Sequence, residues 1–249
     1  MFKNPDVLWL NTNPYLRRFN LPIIKYLSNH VSIGHWEYDI TPDENSALHT
    51  AVELLREYII VIKKPVHLVG HSTDGLLGLL LSRQYPELVK SLTLLGVGVN
   101  PEVDWVNYYY QIRKNLPCSR EVALAKVAKC LFNYQNHYYQ RAFVNLLDKA
   151  LLYTISPHSI YEEKEILKGG ITNPMMVCGS EDDLVVSRAL LAQWQPYLKS
   201  EDELFVVAKG GHFFHYTCPQ LTGEKIINFM TMKSVKSCNY KLSSEVNHQ

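Results

Sequence analysis

A serine, an acid and a histidine, each placed after an apolar run, are the residues of this sequence best suited to nucleophilic catalysis. Ser72 follows the apolar residues 66–69 and Gly70, and a second glycine stands at Gly75. A serine nucleophile needs such a turn from strand to helix, because the turn exposes the hydroxyl and places the next backbone N–H beside it. Taken alone, this pattern is weak evidence for a nucleophile, because serine is also favoured as the residue that caps the start of a helix.

The acid and the histidine follow two later apolar runs. Residues 174–178 lead into Gly179 and an acidic cluster, in which Asp182 is our candidate and Asp183 the alternative. A third run ends in two glycines and His212. In acyl transfer the histidine takes the serine proton, and the carboxylate holds the imidazole in the required tautomer. Serine, acid and histidine in this order predict a hydrolytic triad.

Strands and helices alternate along most of the chain, and this alternation must position the three residues. Strands are predicted at residues 7–10, 31–38, 66–69, 91–99, 174–178 and 203–207. Helices are predicted at residues 14–27, 45–62, 76–85, 187–198 and 217–230. Because parallel strands need helical crossovers, the pattern predicts an α/β fold with a mainly parallel sheet and helices on both faces.

The alternation is interrupted once, over residues 100–168, where only helical segments are predicted. This insert follows the carboxyl end of a strand, where ligands of open parallel sheets bind. We therefore expect a core of residues 1–99 and 169–232 with a helical cap of residues 100–168. The alternative is a helical elaboration that has no role at the site. Residues 233–249 are polar, lack periodicity and are expected to form a loose tail.

These features resemble the α/β-hydrolase-fold superfamily, especially its serine esterases, lipases and thioesterases with a helical cap. The resemblance covers residues 6–230. It implies Ser72 as nucleophile, Asp182 as the acid three residues after the glycine that ends its strand, and His212, between Gly211 and Phe213, as the base. It also implies hydrolysis of a carboxylic ester or thioester. Asp104, after the preceding strand, is a further alternative for the acid.

The expected oxyanion hole departs from the family pattern. Asn11 and Thr12 stand where the family usually has His-Gly, so Asn13 would supply one backbone N–H and Thr73 the other. Asp74 occupies a glycine position, where its charge would oppose a nearby oxyanion unless the carboxylate points away. Loss of one such donor typically slows catalysis by roughly 10²–10³-fold.

Aromatic residues are concentrated in the predicted cap, which holds eight of the sixteen tyrosines. Such side chains suit a partly wet pocket wall and predict an apolar or aromatic portion of a small-molecule substrate. The alternative is that they only join the cap to the core. The candidate pocket residues are Asn11, Thr12, His71, Trp105, Tyr108 and Tyr109.

Composition excludes several other classes of protein. With 25 Lys+Arg against 24 Asp+Glu, the chain has no basic patch of the kind that nucleic acid needs. No apolar run reaches the roughly 18 residues of a membrane span, and we expect no secretory leader. The five cysteines are scattered without a C-x-x-C pair, which indicates a reducing, cytoplasmic setting. Nucleotide-binding and H-E-x-x-H motifs are absent, so no cofactor and no metal are predicted.

Two other function classes remain open at the level of sequence. One is a non-catalytic binding or scaffold protein of the same fold. The other is a lyase or C–C hydrolase, because the fold does not fix the reaction. The sequence does not predict the oligomeric state.

Overall fold

A single parallel sheet forms the centre of the protein. The computed structural model describes residues 4–38, 40, 47–100, 103–132, 140–158 and 166–245. Within these residues the strands are β1 (Val7–Asn11), β2 (Ile33–Glu37), β3 (Val66–His71), β4 (Val89–Leu95), β5 (Met175–Ser180) and β6 (Glu203–Val207). Their order is β2-β1-β3-β4-β5-β6, and every pairing is parallel. The predicted fold class is confirmed.

Helices cover both faces of the sheet. They are α1 (Leu21–Ser28), α2 (Leu48–Ile62), α3 (Thr73–Gln84), α4 (Trp105–Asn115), α5 (Arg120–Phe132), α6 (Gln140–Tyr153), α7 (Arg188–Ala192), α8 (Phe214–Thr217) and α9 (Pro219–Glu245). The helix predicted from residue 14 begins only at Leu21, because a separate 3-10 turn at Arg17–Phe19 precedes it. Helix α9 continues to Glu245, so the segment expected to be loose is helical as far as that residue.

The two faces of β1 show why this strand reads as an unbroken apolar run. All five of its residues are buried. Leu8 and Leu10 pack in the layer that holds α2, α3 and α7, whereas Val7 and Trp9 pack in the layer of α1 and α9. A strand covered on both faces needs apolar side chains at every position, and it loses the alternating pattern of a half-exposed strand.

Helices α4, α5 and α6 lie between β4 and β5 in the chain, within the predicted cap. An aromatic cluster packs them against the core, with the Phe132 ring 4.5 Å from Phe19 and 4.6 Å from Phe213, between ring centroids. Four of the cap tyrosines that the sequence pointed to lie outside the described residues: Tyr134, Tyr138, Tyr139 and Tyr161. In the part of the chain that the structure describes, no helix is both long and apolar enough to cross a bilayer.

Candidate active site

Ser72 lies at a sharp turn between β3 and α3. Its backbone angles are φ 54° and ψ −123°, in a region that L-residues rarely adopt. Among the described non-glycine residues only Lys63 shares a positive φ. Such strain typically costs about 1–3 kcal/mol and is concentrated at functional sites. The local backbone therefore has the geometry of a nucleophile elbow.

Two glycines make this turn possible. A Cβ on Gly70 would lie 2.5 Å from backbone atoms of Asp74 and Gly75. A Cβ on Gly75 would lie 2.6 Å from the Val97 side chain and 2.8 Å from the Gly70 carbonyl oxygen. The close approach of strand and helix thus requires glycine at position 75, one residue later than the usual motif, and leaves position 74 free to carry a side chain.

His212 pairs with Asp183. The imidazole Nδ1 donates to Oδ2 of Asp183 at 2.9 Å, and both side chains are fully buried. Because Nδ1 carries the proton in this bond, Nε2 of a neutral His212 is left as an acceptor. Burial on its own would raise the pKa of Asp183, but the His212 charge, its hydrogen bond and the N–H groups of Val185 and Val186 hold this pKa below its usual value.

The choice of Asp182 as the histidine's partner is wrong. Asp182 instead accepts hydrogen bonds from the backbone N–H groups of Gly210 and Gly211 at 2.9 and 2.8 Å, and from the Ser180 hydroxyl. Strand β5 continues past Gly179 to Ser180, so the turn that follows begins one residue later than expected. Asp182 therefore holds the loop that leads into His212, and Asp183 reaches the imidazole.

Ser72 and His212 both lie near the end of β4, and each has an unused polar atom. Ser72 donates its backbone N–H to Leu95, and a Cβ on the next residue, Gly96, would lie 3.1 Å from the His212 ring. Ser72 Oγ and His212 Nε2 are both buried and lack a hydrogen-bond partner within the described residues. Buried polar atoms are normally paired, so these two unpaired ones near the carboxyl edge of the sheet call for an explanation.

Asp74 is tied to the loop after β1. Its Oδ1 accepts from the Thr12 backbone N–H at 2.7 Å and from the Thr12 hydroxyl at 2.6 Å. Burial raises the pKa of Asp74 to about 7, although the two Thr12 hydrogen bonds oppose this rise. The carboxyl therefore fixes the loop that carries Asn13, and both Asn13 and Thr73 line the cleft beside Ser72.

A narrow, partly open cleft leads to Ser72. Of the predicted pocket residues, Asn11, Thr12, His71 and Trp105 line it, together with Asn13, Leu16, Asn20, Thr73, Asp74, Val106, Thr154, Ile155 and Phe213. Tyr108 and Tyr109 do not line it, so their placement in the pocket is wrong. The Tyr108 hydroxyl lies 3.2 Å from Cys130 Sγ, and Tyr109 is buried in the core. Their helical phase turns both rings toward neighbouring helices.

Two further histidines are buried beside His212. His71 donates from Nε2 to the His212 carbonyl oxygen at 3.0 Å, and its ring lies 4.7 Å from the His212 ring. His215 donates from Nε2 to Oδ1 of Asn20 at 2.9 Å. Burial lowers the pKa of His71 well below its usual value and that of His215 to about 3. Both are neutral near pH 7. No sequence signal pointed to Asn20.

The remaining candidates lie apart from the His212 imidazole. Asp104 accepts from the Asn107 backbone N–H at the start of α4 and lies 2.9 Å from His158 Nε2. It therefore caps a helix and does not contact His212. Cys178 is buried within β5, and burial raises the pKa of its thiol, which keeps it protonated.

The sequence and the fold were compared with known proteins. No family model matches the chain. It is 38% identical over 231 residues to the uncharacterized protein alr2406 of Nostoc sp., covering 93% of this chain and 92% of that protein. Among solved structures it resembles an esterase from Exiguobacterium antarcticum, with a TM-score of 0.70, 15% identity and coverage of 92% and 93%. The chain belongs to the same family as alr2406, and its fold is the α/β-hydrolase fold.

A second solved structure, that of a bacterial membrane phospholipase A, shows a similar match. Its TM-score is 0.69 at 18% identity, with 94% of this chain and 81% of that chain covered. At this level of identity the two solved structures establish the fold, and the chemistry must be argued from the site itself.

Proposed function

We propose that the protein is a serine hydrolase that cleaves a carboxylic ester or thioester of a small, uncharged and largely apolar substrate. The observation that carries the proposal is the strained turn at Ser72 beside the buried His212–Asp183 pair. A binding or scaffold protein has no need of a strained serine, nor of a buried histidine–carboxylate pair whose second nitrogen is free.

The geometry supports a two-step acyl transfer. Ser72 Oγ attacks the carbonyl carbon while His212 Nε2 takes its proton, which gives a tetrahedral oxyanion. The backbone N–H groups of Asn13 and Thr73 are the proposed donors to this oxyanion. Collapse breaks the bond to the alcohol or thiol, which leaves with the proton from His212. Water, deprotonated by the same imidazole, then hydrolyses the acyl-serine.

Asp183 serves this cycle by positioning the imidazole. Its carboxylate fixes the proton on Nδ1 of His212, so that Nε2 presents a lone pair to the serine. It also stabilises the imidazolium that forms during attack. Because the pKa of Asp183 is held below its usual value, the carboxylate stays ionised at pH 7.

The walls of the cleft support an uncharged substrate. Leu16, Trp105, Val106, Ile155 and Phe213 supply apolar surface next to Ser72. Among the residues that the structure describes, no lysine or arginine lines this cleft, and its carboxyl group is that of Asp74. An anionic ester would therefore find no compensating positive charge in the cleft.

Hydrolysis of graded esters tests the proposal. We expect the purified protein to hydrolyse p-nitrophenyl esters and acyl-thioesters of short to medium chain length. Ser72→Ala should lower kcat by at least about 10³-fold, since the nucleophile is removed. Ser28→Ala is the matched control, because this exposed serine bonds only its own helix, at Lys25. Retention of activity in Ser72→Ala would contradict the proposal.

A further inference from the structure

The side chain of Asn11 is buried without hydrogen bonds. It lies at the carboxyl end of β1 and is 3% exposed. Neither its Oδ1 nor its Nδ2 has a hydrogen-bond partner within the described part of the chain. A buried carboxamide offers a donor and an acceptor at once, and leaving both unused is costly to the folded state. Such a group calls for a partner that the described residues do not supply.

Asn11 lies between two cavities. It lines the cleft beside Ser72 and also a second cavity of about 560 Å³, bordered by Arg17, Leu21 and Glu37. Asn20 lines both cavities as well. A molecule bound at Ser72 can therefore reach the Asn11 carboxamide without passing through the core.

Two other residues that line the cleft, Asn20 and His71, are polar and uncharged. Asn20 uses its Oδ1 to accept from His215, which leaves its Nδ2 to donate. His71 uses its Nε2 to donate to the His212 carbonyl, which leaves its Nδ1 to accept. Both histidines stay neutral because burial lowers the pKa of each. This wall of the cleft thus presents neutral donors and acceptors next to the reacting serine.

We propose that Asn11, with Asn20 and His71, forms a subsite for an uncharged group of the substrate that both donates and accepts a hydrogen bond, such as a hydroxyl. The inference rests on the proposed function, because it places this group in the ester that Ser72 attacks. The substrate is then a largely apolar ester or thioester with one neutral polar substituent. The apolar part packs against Trp105 and Phe213, and the substituent reaches the Asn11 carboxamide.

Matched ester pairs test this subsite. One pair is p-nitrophenyl butanoate and p-nitrophenyl 3-hydroxybutanoate, and the other is propyl butanoate and 2-hydroxyethyl butanoate. We expect kcat/KM to favour the hydroxylated member of at least one pair by about tenfold or more, because a site built to bond a hydroxyl rejects the analogue that lacks it. Anionic p-nitrophenyl hemisuccinate should be the poorest acyl substrate.

Asn11→Leu removes the carboxamide at nearly constant volume. The preference for the hydroxylated ester should fall to within about twofold of unity, and thermal stability should not fall, since an unpaired polar group is lost. Asn11→Ala provides a second test if the leucine side chain disturbs folding. Thr154→Val is the matched control in the same cleft, because the Thr154 hydroxyl, just after α6, already donates to the Ala150 carbonyl in that helix. It should keep the wild-type preference.

The two proposals fail in different ways. The subsite proposal would be overturned if kcat/KM differed by less than about twofold within both ester pairs in the wild-type protein. It would also be overturned if folded Asn11→Leu kept the wild-type preference. Ester hydrolysis would persist in both cases. The proposed function itself would be overturned if no ester were hydrolysed and Ser72 did not react with an active-site-directed phosphonate.

Discussion

At the scale of single residues, the site depends on which acid reaches His212. The order of serine, acid and histidine could be read from the sequence, and so could the positions of Ser72 and His212 at strand ends. The acid could not be assigned to Asp182 or Asp183, because the sequence does not show how far β5 extends beyond Gly179. One additional strand residue turns Asp182 toward the glycine loop and Asp183 toward the imidazole.

The two neighbouring aspartates should differ in their effect on catalysis. Asp183→Asn should lower kcat by about 10³–10⁴-fold, because the amide favours the wrong tautomer of His212. Asp182→Asn should lower it by less than about tenfold, since the amide oxygen can still accept from Gly210 and Gly211. Steady-state kinetics of both variants with one ester measures the two losses in kcat. A larger loss in Asp182→Asn than in Asp183→Asn would contradict the pairing seen in the structure.

At the scale of elements, the turn from β3 to α3 positions the nucleophile. The four central strands could be predicted because strands buried on both faces are largely apolar, whereas the edge strands β2 and β6 are only partly buried. Helix starts were harder, since the segment before Leu21 forms a separate 3-10 turn. The pocket wall could be predicted only in part, because sequence spacing alone did not show that α4 turns Tyr108 and Tyr109 away from the cleft.

Gly70 should be intolerant of any side chain. Gly70→Ala places a Cβ 2.5 Å from backbone atoms of α3, which cannot yield as a flexible side chain would. We expect a loss of about 3 kcal/mol or more in the free energy of unfolding, with loss of activity. Gly98→Ala is the control, because its Cβ would meet neighbours at 3.5 Å or beyond. Chemical denaturation of both variants measures the difference, and equal stabilities would argue against a tight elbow.

At the scale of the whole molecule, three buried histidines stay neutral near pH 7. Burial lowers the pKa of His67 to about 4 and of His215 to about 3, and it lowers that of His71 as well. The pKa of Asp74 is raised to about 7, which has the opposite effect on how stability depends on pH. These four groups connect the stability of the fold to pH.

Acidification from pH 6.5 to 4 should destabilise the fold. In this range the three histidines bind protons in the unfolded chain but stay neutral in the folded protein. Asp74 has the opposite effect, because its carboxyl is protonated in the folded protein and loses this proton on unfolding. The net uptake on unfolding is about two protons, each worth about 1.4 kcal/mol per pH unit. Urea denaturation across this range should show the loss, and His67→Gln should reduce the slope by about one proton. A flat profile would contradict this account.

The most direct test of Ser72 as the nucleophile is reaction with a fluorophosphonate, followed by mass spectrometry of the labelled peptide. The account predicts a single phosphonyl adduct on Ser72 in the wild-type protein, retained in Asp182→Asn. It predicts no labelling of folded Ser72→Ala and strongly slowed labelling in Asp183→Asn. An adduct on any other residue, or folded wild-type protein that stays unlabelled, would contradict the assignment of Ser72, His212 and Asp183 as a catalytic triad.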